Sequence, residues 1–260
     1  MAEPVKESIA DVGGYKFRIA EAGSGPTLFF LHGAGGFNWS PLLQRLATDW
    51  RVIAPEHPGF GRSQIPDWMM SAGDVAFFYL DVLAALDLRD VHLVGHSIGG
   101  WIAAEIAIRS TERLSALTLM APAGVAVPEA PFGDIFLWGP EERVRRLYHD
   151  QTLADERIRN LPKQDIDVTL QNQAAVARLA WNPRLHNPQL VRWLHRIKIP
   201  TLLIWGEEDQ VVPFACRRPF LEQIPQAELM ALPASGHALH AERAAEIAAR
   251  LAPLRQEARP

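Results

Sequence analysis

The stretch that decides the fold is VHLVGHSIGG, residues 91–100, in which an apolar run leads into Gly95-His96-Ser97-Ile98-Gly99. Val91–Val94 is typical of a short buried strand, and Gly99–Arg109 has helical spacing. A serine between two such elements has to occupy a sharp, strained turn, and the glycines two positions away leave room for neighbouring backbone. The turn raises the hydroxyl above the sheet edge at a helix N-terminus, where the dipole favours a developing oxyanion. Ser97 is therefore the predicted nucleophile.

A serine hydroxyl is a weak nucleophile near neutral pH and needs an adjacent base. Among nine histidines, His237 is the predicted base, because its loop follows the last predicted strand and can reach across the carboxyl edge of a parallel sheet. His240 is a weaker candidate at the start of the closing helix. His96 is expected to pack beneath the turn, and His32 to shape its own loop. The other five histidines are expected at the surface or in loops: His57, His92, His149, His186 and His195.

The acid that orients the base should follow a strand that lies between the serine and His237 in the chain. The strand-like run Thr201–Trp205 continues into Gly206-Glu207-Glu208-Asp209. Among these adjacent carboxylates Asp209 is preferred, because the Gly-x-x-Asp spacing carries the chain around a turn before the acid, whereas Glu207 and Glu208 fit a solvated loop. The resulting order Ser, Asp, His is one known arrangement of a catalytic triad. Asp209 would hold the imidazole tautomer and stabilise the imidazolium.

A tetrahedral intermediate needs backbone N–H donors that point at the developing oxyanion. One donor is expected from Ile98, the residue after the nucleophile. The second is expected from the loop His32-Gly33-Ala34-Gly35-Gly36, which follows an early strand and whose small residues allow close approach of the backbone to substrate. Ala34 is the preferred donor in this loop, and Gly35 is the alternative.

Strand-like and helix-like segments alternate along most of the chain. Residues 5–20 alternate around Gly13-Gly14, which predicts a hairpin of two strands. Further strands are predicted at Thr27–Leu31, Arg51–Pro55, Val91–Val94, Leu114–Met120, Thr201–Trp205 and Glu228–Leu232. Helices are predicted at Pro41–Trp50, Gly73–Leu86, Gly99–Arg109 and Ala241–Leu251. This alternation predicts an α/β fold with a mainly parallel sheet and helices on both faces.

The alternation breaks between about Pro122 and Ile199, where helix-like spacing, scattered aromatics and prolines occur without a clear strand. Removing this stretch leaves a continuous series of strands and helices on either side. We therefore predict one core domain, formed by residues 1–122 and 199–260, that carries a helical insertion at residues 123–198. We refer to residues 123–198 as the inserted segment.

Composition excludes several classes of function. The 260 residues are 48% apolar and 22% charged, with a net charge of −4, so nothing favours nucleic acid as a partner. A single cysteine, Cys216, cannot form an internal disulfide or a thiolate metal site. No metal-ligand spacing or phosphate-binding loop is visible, so neither a metal nor another cofactor is expected. The start of the chain lacks a secretory signal and the apolar runs are strand-sized, which predicts a cytoplasmic protein that does not enter a membrane.

Four motifs together resemble the α/β-hydrolase superfamily: Leu31-His32-Gly33, Pro58-Gly59-Phe60-Gly61-Arg62-Ser63, Gly95-His96-Ser97-Ile98-Gly99, and Pro200–Pro213 with Gly236-His237. The resemblance covers nearly the whole chain except the inserted segment. It implies a mainly parallel eight-stranded sheet with helices on both faces, and a helical cap over the active site after the sixth strand.

The sequence is similar to small bacterial hydrolases that include carboxylesterases, enol-lactonases and C–C bond hydrolases of aromatic ring cleavage. The resemblance implies hydrolysis of an ester or lactone through an acyl-enzyme on Ser97. Hydrolysis of a C–C bond in a diketone-like ring-cleavage product is the alternative. Residues 145–153 resemble cap segments of the C–C hydrolases, but Ala238 replaces the Trp that often follows their catalytic histidine. A non-catalytic ligand-binding protein on the same fold is a third hypothesis.

The pocket is expected between the sheet edge and the inserted segment. Phe37, Trp138 and Trp181 are the predicted substrate-binding residues, because aromatic side chains there suit an apolar acyl or alcohol group. Arg178 could bind a substrate carboxylate or hold the cap to the core, and it is left out of the predicted site. The expected partner is thus a small-molecule ester or lactone, and a homodimer is compatible with the sequence.

Overall fold

The computed structural model describes residues 4–161 and 166–257. The chain begins with the antiparallel hairpin β1 (Lys6–Val12) and β2 (Tyr15–Ala22). Six more strands follow: β3 (Thr27–Leu31), β4 (Arg51–Pro55), β5 (Val91–His96), β6 (Leu114–Met120), β7 (Thr201–Gly206) and β8 (Ala227–Leu232). Within the described residues they form one sheet of order β1-β2-β4-β3-β5-β6-β7-β8, in which β3 to β8 pair in parallel. The predicted eight-stranded, mainly parallel sheet is confirmed.

Helices connect the parallel strands, and two more follow the last strand. They are α1 (Pro41–Leu46), α2 (Ala72–Ala85), α3 (Ile98–Arg109), α4 (Pro140–Leu147), α5 (Gln151–Arg159), α6 (Ile166–Ala180), α7 (Leu190–Trp193), α8 (Arg217–Gln223), α9 (Leu239–Glu242) and α10 (Ala244–Leu251). None of the helices in the described ranges combines the length and the apolar character that crossing a bilayer requires.

The central strand and helix are the most deeply buried elements. All six residues of β5 are buried, because the strand lies between β3 and β6 and has α3 packed over it. Ten of the twelve residues of α3 are apolar or glycine, and only Arg109 at its end is not buried. A strand and helix enclosed in this way form a rigid support for the turn that joins them at Ser97.

Two predicted helices differ from the observed ones, the first in its end and the second by an interruption. The helix predicted at Pro41–Trp50 ends at Leu46, because the chain has to turn back toward β4; Trp50 is buried and its carbonyl oxygen lies against Gly23. The helix predicted at Ala241–Leu251 is divided at Arg243, whose φ is −128°. The guanidinium of Arg243 donates hydrogen bonds to the carbonyls of Pro233 and Ala234, which fixes it away from a regular helix.

The prediction of a surface or loop position is wrong for His92, which lies in β5, whereas His57 lies in a loop as predicted but is buried. Both are almost completely buried. His92 lies in β5, where its Nε2 is 2.8 Å from the hydroxyl of Thr118 on the neighbouring strand. His57 forms hydrogen bonds with His32, in the loop that follows β3. Burial lowers the pKa of each imidazole to about 4, so both rings are neutral at physiological pH.

The predicted helical insertion is confirmed in its secondary structure. The chain between β6 and β7 carries α4, α5, α6 and α7, and within its described residues the only β-type pairings are two isolated bridges. The bridge between Gly124 and His186 closes the base of this segment, and Asn187 donates to the buried carboxylate of Glu105 on α3. The inserted segment is therefore fastened to the core helix that follows Ser97.

Candidate active site

Ser97 sits on the predicted strained turn between β5 and α3. Its φ of +56° and ψ of −119° lie in a region that L-residues rarely adopt. A Cβ on Gly95 would lie 2.3 Å from the carbonyl oxygen of Gly99, and a Cβ on Gly99 would lie 2.2 Å from that of Leu31. Both obstacles are backbone atoms, so only glycine fits. We call residues 95–99 the elbow.

The three residues predicted as a triad come together in one hydrogen-bonded chain. His237 Nε2 is 2.8 Å from Ser97 Oγ, and His237 Nδ1 is 2.7 Å from Asp209 Oδ2. The second carboxylate oxygen, Oδ1, accepts the N–H groups of Val211 and Val212 at 2.8 and 2.9 Å. Because the carboxylate can only accept, Nδ1 carries the hydrogen and Nε2 is free to accept the serine hydroxyl. This geometry suits proton transfer from Ser97 to His237.

The triad is almost closed off from solvent. Ser97, Asp209 and His237 have relative exposures of 7%, 6% and 2%. Hydrogen bonds and charges act more strongly in such a water-poor site than in bulk water. The neighbouring carboxylates Glu207 and Glu208 are exposed, as the sequence predicts.

Hydrogen bonds on both sides of His237 support its loop, residues 233–238, which we call the base loop. The N–H of Gly236 donates to Glu242 Oε2 at 2.8 Å, and the N–H of Ala238 donates to the carbonyl of Leu147 at 2.8 Å. His96 Nε2 lies 2.9 Å from the carbonyl oxygen of His237 and therefore donates to it. The bonds bracket His237 on both sides and fix the direction of its ring.

The side chain of His96 packs below the turn at Ser97, as predicted. Its ring centroid is 4.8 Å from that of His237 and 5.0 Å from that of His240. Burial is the largest cause that holds the pKa of His96 well below its usual value. Desolvation likewise lowers the pKa of His240 to about 4. His240 makes no hydrogen bond to Ser97 among the described contacts, so geometry favours His237 as the base.

The loop predicted to complete an oxyanion hole lies directly against the elbow. A Cβ on Gly33 would come within 3.3 Å of the Ser97 Cβ, and Gly36 closes a turn by donating to the Gly33 carbonyl. In the described part of the chain, the N–H groups of Ile98, Ala34 and Gly35 have no protein acceptor. Ile98 is the first residue of α3, and Ala34 and Gly35 both stay predicted second donors. We call residues 32–36 the oxyanion loop.

A buried network behind the oxyanion loop was not predicted from the sequence. The N–H of His57 donates to His32 Nε2, so His32 Nδ1 carries the hydrogen and donates to the Gly33 carbonyl at 2.8 Å. His57 Nε2 donates to the His32 carbonyl, and Tyr79 Oη donates to His57 Nδ1 at 2.7 Å. In each imidazole of this hydrogen-bond network one ring nitrogen donates and the other accepts, so both rings have to be neutral.

Among the predicted substrate-binding residues, Phe37 lies beside the oxyanion loop. Its ring centroid is 6.4 Å from that of His32, and Arg18 covers it at 5.1 Å. Trp138 packs against Gly133 and is covered by Arg146 at 5.2 Å. These contacts hold the aromatic rings in the structure, and a role of either ring in substrate binding stays a prediction.

Trp181 lies at the outer side of the inserted segment and is 52% exposed. Its ring packs edge-on against Phe136 and beneath Arg184. No contact of Trp181 with a triad residue occurs among the described residues, so these neighbours explain its position without a substrate. Arg178 donates to the carbonyls of Pro66 and Asp67. Of its two predicted roles, the structure supports fastening of the inserted segment to the core, through carbonyl oxygens rather than an ion pair.

The described side chains include no group of three or more His, Cys, Asp or Glu residues that could hold a metal ion. The site brings together the serine, the imidazole, the carboxylate and the backbone N–H groups. Together these groups can activate an oxygen nucleophile and stabilise an oxyanion.

Comparison with known proteins finds similarity along most of the chain. The model of the Alpha/beta hydrolase family matches residues 28–250. A 2-hydroxymuconate semialdehyde hydrolase from Pseudomonas sp. (strain CF600) is 30% identical over 90% of this chain and 88% of its own length. The solved structure of a membrane phospholipase A is similar with a TM-score of 0.80 and 26% identity, covering 95% of this chain and 84% of that one. A serine hydrolase involved in carbazole degradation gives a TM-score of 0.79 and 26% identity, covering 96% and 99%.

Proposed function

The chain belongs to the alpha/beta hydrolase family, and on that premise we propose that it is a serine hydrolase that cleaves a carboxylic ester or lactone through an acyl-enzyme on Ser97. The observation that carries the proposal is the continuous hydrogen-bonded chain from Ser97 Oγ through the His237 ring to Asp209 Oδ2, at 2.8 and 2.7 Å. A serine that only terminates a strand would need neither the strained φ nor an imidazole within bonding distance.

In the first step Ser97 Oγ forms a bond to the carbonyl carbon of the substrate, and its proton passes to His237 Nε2. The carbonyl oxygen becomes an oxyanion, which the N–H groups of Ile98 and Ala34 would receive. The imidazolium of His237 is stabilised by the adjacent Asp209 carboxylate. When the tetrahedral intermediate collapses, the alkoxide leaves and takes the proton from His237.

The second step repeats this chemistry with water. His237 removes a proton from a water molecule as its oxygen bonds to the acyl carbon on Ser97. The new tetrahedral intermediate expels Ser97 Oγ, which recovers the proton from His237, and a carboxylic acid is released. In a lactone the leaving hydroxyl stays attached to the acyl group, so the product is a single hydroxy acid.

A second candidate is hydrolysis of a C–C bond, which the similarity to the 2-hydroxymuconate semialdehyde hydrolase favours. The phospholipase similarity does not favour it, so relatives alone do not choose the substrate. Chemistry gives the preference for an ester or lactone. An alkoxide leaving group needs only the proton held by His237, whereas a carbon leaving group must also be stabilised as a carbanion until it is protonated. Ala238 takes the place of the Trp that is frequent in C–C hydrolases.

The decisive experiment compares wild type, Ser97→Ala and Ser24→Ala on p-nitrophenyl esters of increasing acyl length. Ser24 is an exposed serine near the β3 strand, so its variant controls for loss of a hydroxyl. We expect Ser97→Ala to lose about 10³-fold or more in kcat, since removal of one triad member leaves only binding and oxyanion stabilisation. Ser24→Ala should retain the wild-type rate.

A diketone-like ring-cleavage product, followed by loss of its absorbance, tests the second candidate in parallel. Turnover of that compound at a kcat/KM well above that of every ester would replace the ester proposal by C–C hydrolysis. Equal ester rates in wild type and Ser97→Ala would show that Ser97 is not the nucleophile.

A further inference from the structure

Glu242 on α9 holds three backbone N–H groups with its carboxylate. Its Oε1 accepts the N–H of His149 at 2.8 Å and that of Asp150 at 2.9 Å, and its Oε2 accepts the N–H of Gly236 at 2.8 Å. Gly236 directly precedes the predicted base. His149 and Asp150 belong to the inserted segment, about 90 positions away. One side chain thus joins the inserted segment to the base loop.

The two joined segments are in close contact along their length. A Cβ on Gly236 would lie 2.7 Å from both the His149 nitrogen and the Leu147 carbonyl oxygen, so there is no space for a side chain. On the other side of His237, Ala238 donates to the same Leu147 carbonyl. Residues 147–150, which connect α4 to α5, therefore border the base loop before and after the histidine. We call residues 147–150 the cap hinge.

The chemistry of this contact requires a carboxylate. Three N–H donors converge on one side chain, and an ionised carboxylate offers acceptor oxygens on both sides with no hydrogen of its own. Glutamine has the same shape, but whichever way its amide is turned, its NH₂ group faces at least one of the three N–H donors. The Glu242 charge also lies at the start of α5, where the positive end of the helix dipole favours it.

We propose that Glu242 is a positioning residue for His237, and that the cap hinge belongs to the supporting wall of the active site and moves only together with the base loop. This inference rests on the proposed function for its effect on catalysis. It assigns to the inserted segment a role beyond covering the pocket. Without the carboxylate, Gly236 and the cap hinge lose their common partner, and the His237 ring loses its alignment with Ser97 Oγ.

The test uses Glu242→Gln, with Glu222→Gln as the control. Glu222 is an exposed glutamate on α8, so its variant makes the same change of charge away from the base loop. Two rates are measured: ester hydrolysis, and labelling of Ser97 by a fluorophosphonate. The labelling rate reports activation of the serine by His237 and does not depend on the choice of ester. Ser97→Ala provides the unlabelled reference.

We expect Glu242→Gln to lower kcat and the labelling rate together by about 10- to 100-fold, since a displacement of about 1 Å has effects of this size. KM should stay within about threefold of wild type and the protein should remain folded, because the change is isosteric and lies outside the pocket. Glu222→Gln should match wild type. If Glu242→Gln is labelled as fast as wild type, the proposal is wrong. If wild type itself is not labelled, the proposed serine hydrolase function fails instead.

Hydrogen exchange of the wild-type protein tests the coupling without any substitution. Peptides that contain the cap hinge and the base loop should exchange at the same rate, because they would open as one unit. Exchange rates that differ by more than about tenfold would overturn the coupling. If Glu242→Gln does not fold, Glu242→Asp, which keeps the charge but is one methylene shorter, should still show faster exchange in both peptides at once. Wild-type exchange in Glu242→Asp would refute the role of the carboxylate.

Discussion

Ser97 and His237 place their reacting atoms 2.8 Å apart, yet different parts of the chain support them. The elbow is held by the core sheet, with Gly99 packed on the carbonyl of Leu31 and Gly100 packed on Pro122. The base loop is held by His96 from the core but also by the cap hinge and Glu242. The nucleophile is therefore supported mainly by backbone packing on the core sheet, whereas the base is also supported by the inserted segment, through close packing at Gly236 and through hydrogen bonds.

This difference indicates where the site can change. Closely packed backbone segments cannot adjust gradually to an added side chain, because a single methyl group displaces the whole turn. The separate hydrogen bonds of the Glu242 carboxylate can be lost one at a time. We expect the elbow to respond to substitution in an all-or-none way and the base loop to respond in graded steps.

The largest effect is expected for Asp209→Asn, which changes the tautomer of the His237 ring. Oδ1 of Asp209 is held by the N–H groups of Val211 and Val212, so the asparagine keeps its oxygen there and turns its NH₂ toward His237 Nδ1. The imidazole is then forced into the tautomer with hydrogen on Nε2, which cannot accept from Ser97. We expect kcat to fall by about 10⁴-fold with little change in KM.

Steady-state kinetics of Glu208→Gln provide the matched control, because Glu208 is the adjacent exposed carboxylate. Its activity should equal that of wild type. A greater loss of kcat in Glu208→Gln than in Asp209→Asn would mean that the wrong one of the neighbouring carboxylates has been chosen.

Gly99→Ala is expected to have the next largest effect, on the elbow. The added Cβ would lie 2.2 Å from the Leu31 carbonyl oxygen and 2.5 Å from that of His32. Since neither backbone segment can move without disturbing the sheet, we expect a loss of about 3 kcal/mol or more in the free energy of unfolding. Thermal and urea unfolding measure it.

Gly139→Ala serves as the reference for Gly99→Ala, since a Cβ at Gly139 meets no atom within 4 Å. It should stay within about 1 kcal/mol of wild type. Equal stability of the two variants would show that the elbow can relax, and the contrast between elbow and base loop would disappear.

The same contrast explains how much of the site could be predicted. Ser97, its flanking glycines and Asp209 lie in short motifs whose spacing reflects local backbone geometry, so the sequence alone indicates them. The first two strands were recognisable from alternation around Gly13-Gly14, and the other six from apolar runs that end in turns. Their predicted bounds differ from the observed ones by at most a few residues.

Residues with distant partners were missed. Tyr79 contacts His57 across 22 positions, and Glu242 contacts His149 across 93. Neither residue has a local pattern that distinguishes it from a core tyrosine or a surface glutamate. The burial of His92 was missed for a related reason, because its partner Thr118 lies on a neighbouring strand. Long-range support of this kind depends on the folded sheet and on the path of the inserted segment.

Acid should weaken the core that supports the nucleophile. Burial lowers the pKa of His92 to about 4 in the folded protein, against about 6.5 in the unfolded chain. Between these values the unfolded chain binds the additional proton, so stability is complete above about pH 6.5 and decreases as the pH falls toward 4. Each such histidine contributes up to about 1.4 kcal/mol per pH unit.

The free energy of urea unfolding, measured from pH 7.5 to 4.5, tests this dependence. The double variant His92→Leu with Thr118→Val removes the imidazole together with its hydrogen-bond partner, and we expect the slope to decrease by about one proton. His195→Leu, at an exposed position, should leave the slope close to that of wild type. An unchanged slope in the double variant would refute the assignment of the acid sensitivity to His92.

The smallest effect is expected for Asn172→Ala, which removes one contact between the inserted segment and the oxyanion loop. Asn172 on α6 accepts the N–H of Gly61 at 2.8 Å, and its amide fills the space where Gly36 lacks a side chain. It touches the oxyanion loop but no part of the base loop. Because the lost contact touches the oxyanion loop only from outside, we expect kcat to fall by no more than about two- to threefold, and a loss of about 1 kcal/mol in stability.

Gln173→Ala, at the next and exposed position of α6, controls for the loss of an amide from this helix. It should behave as wild type in both kcat and stability. The comparison with Glu242→Gln is decisive for the asymmetry of the site. If Asn172→Ala reduced kcat as strongly as Glu242→Gln, the inserted segment would support nucleophile and base alike. If kcat falls strongly only in Glu242→Gln, the contact of α6 with the oxyanion loop does little to position the nucleophile, and the inserted segment acts on catalysis mainly through His237.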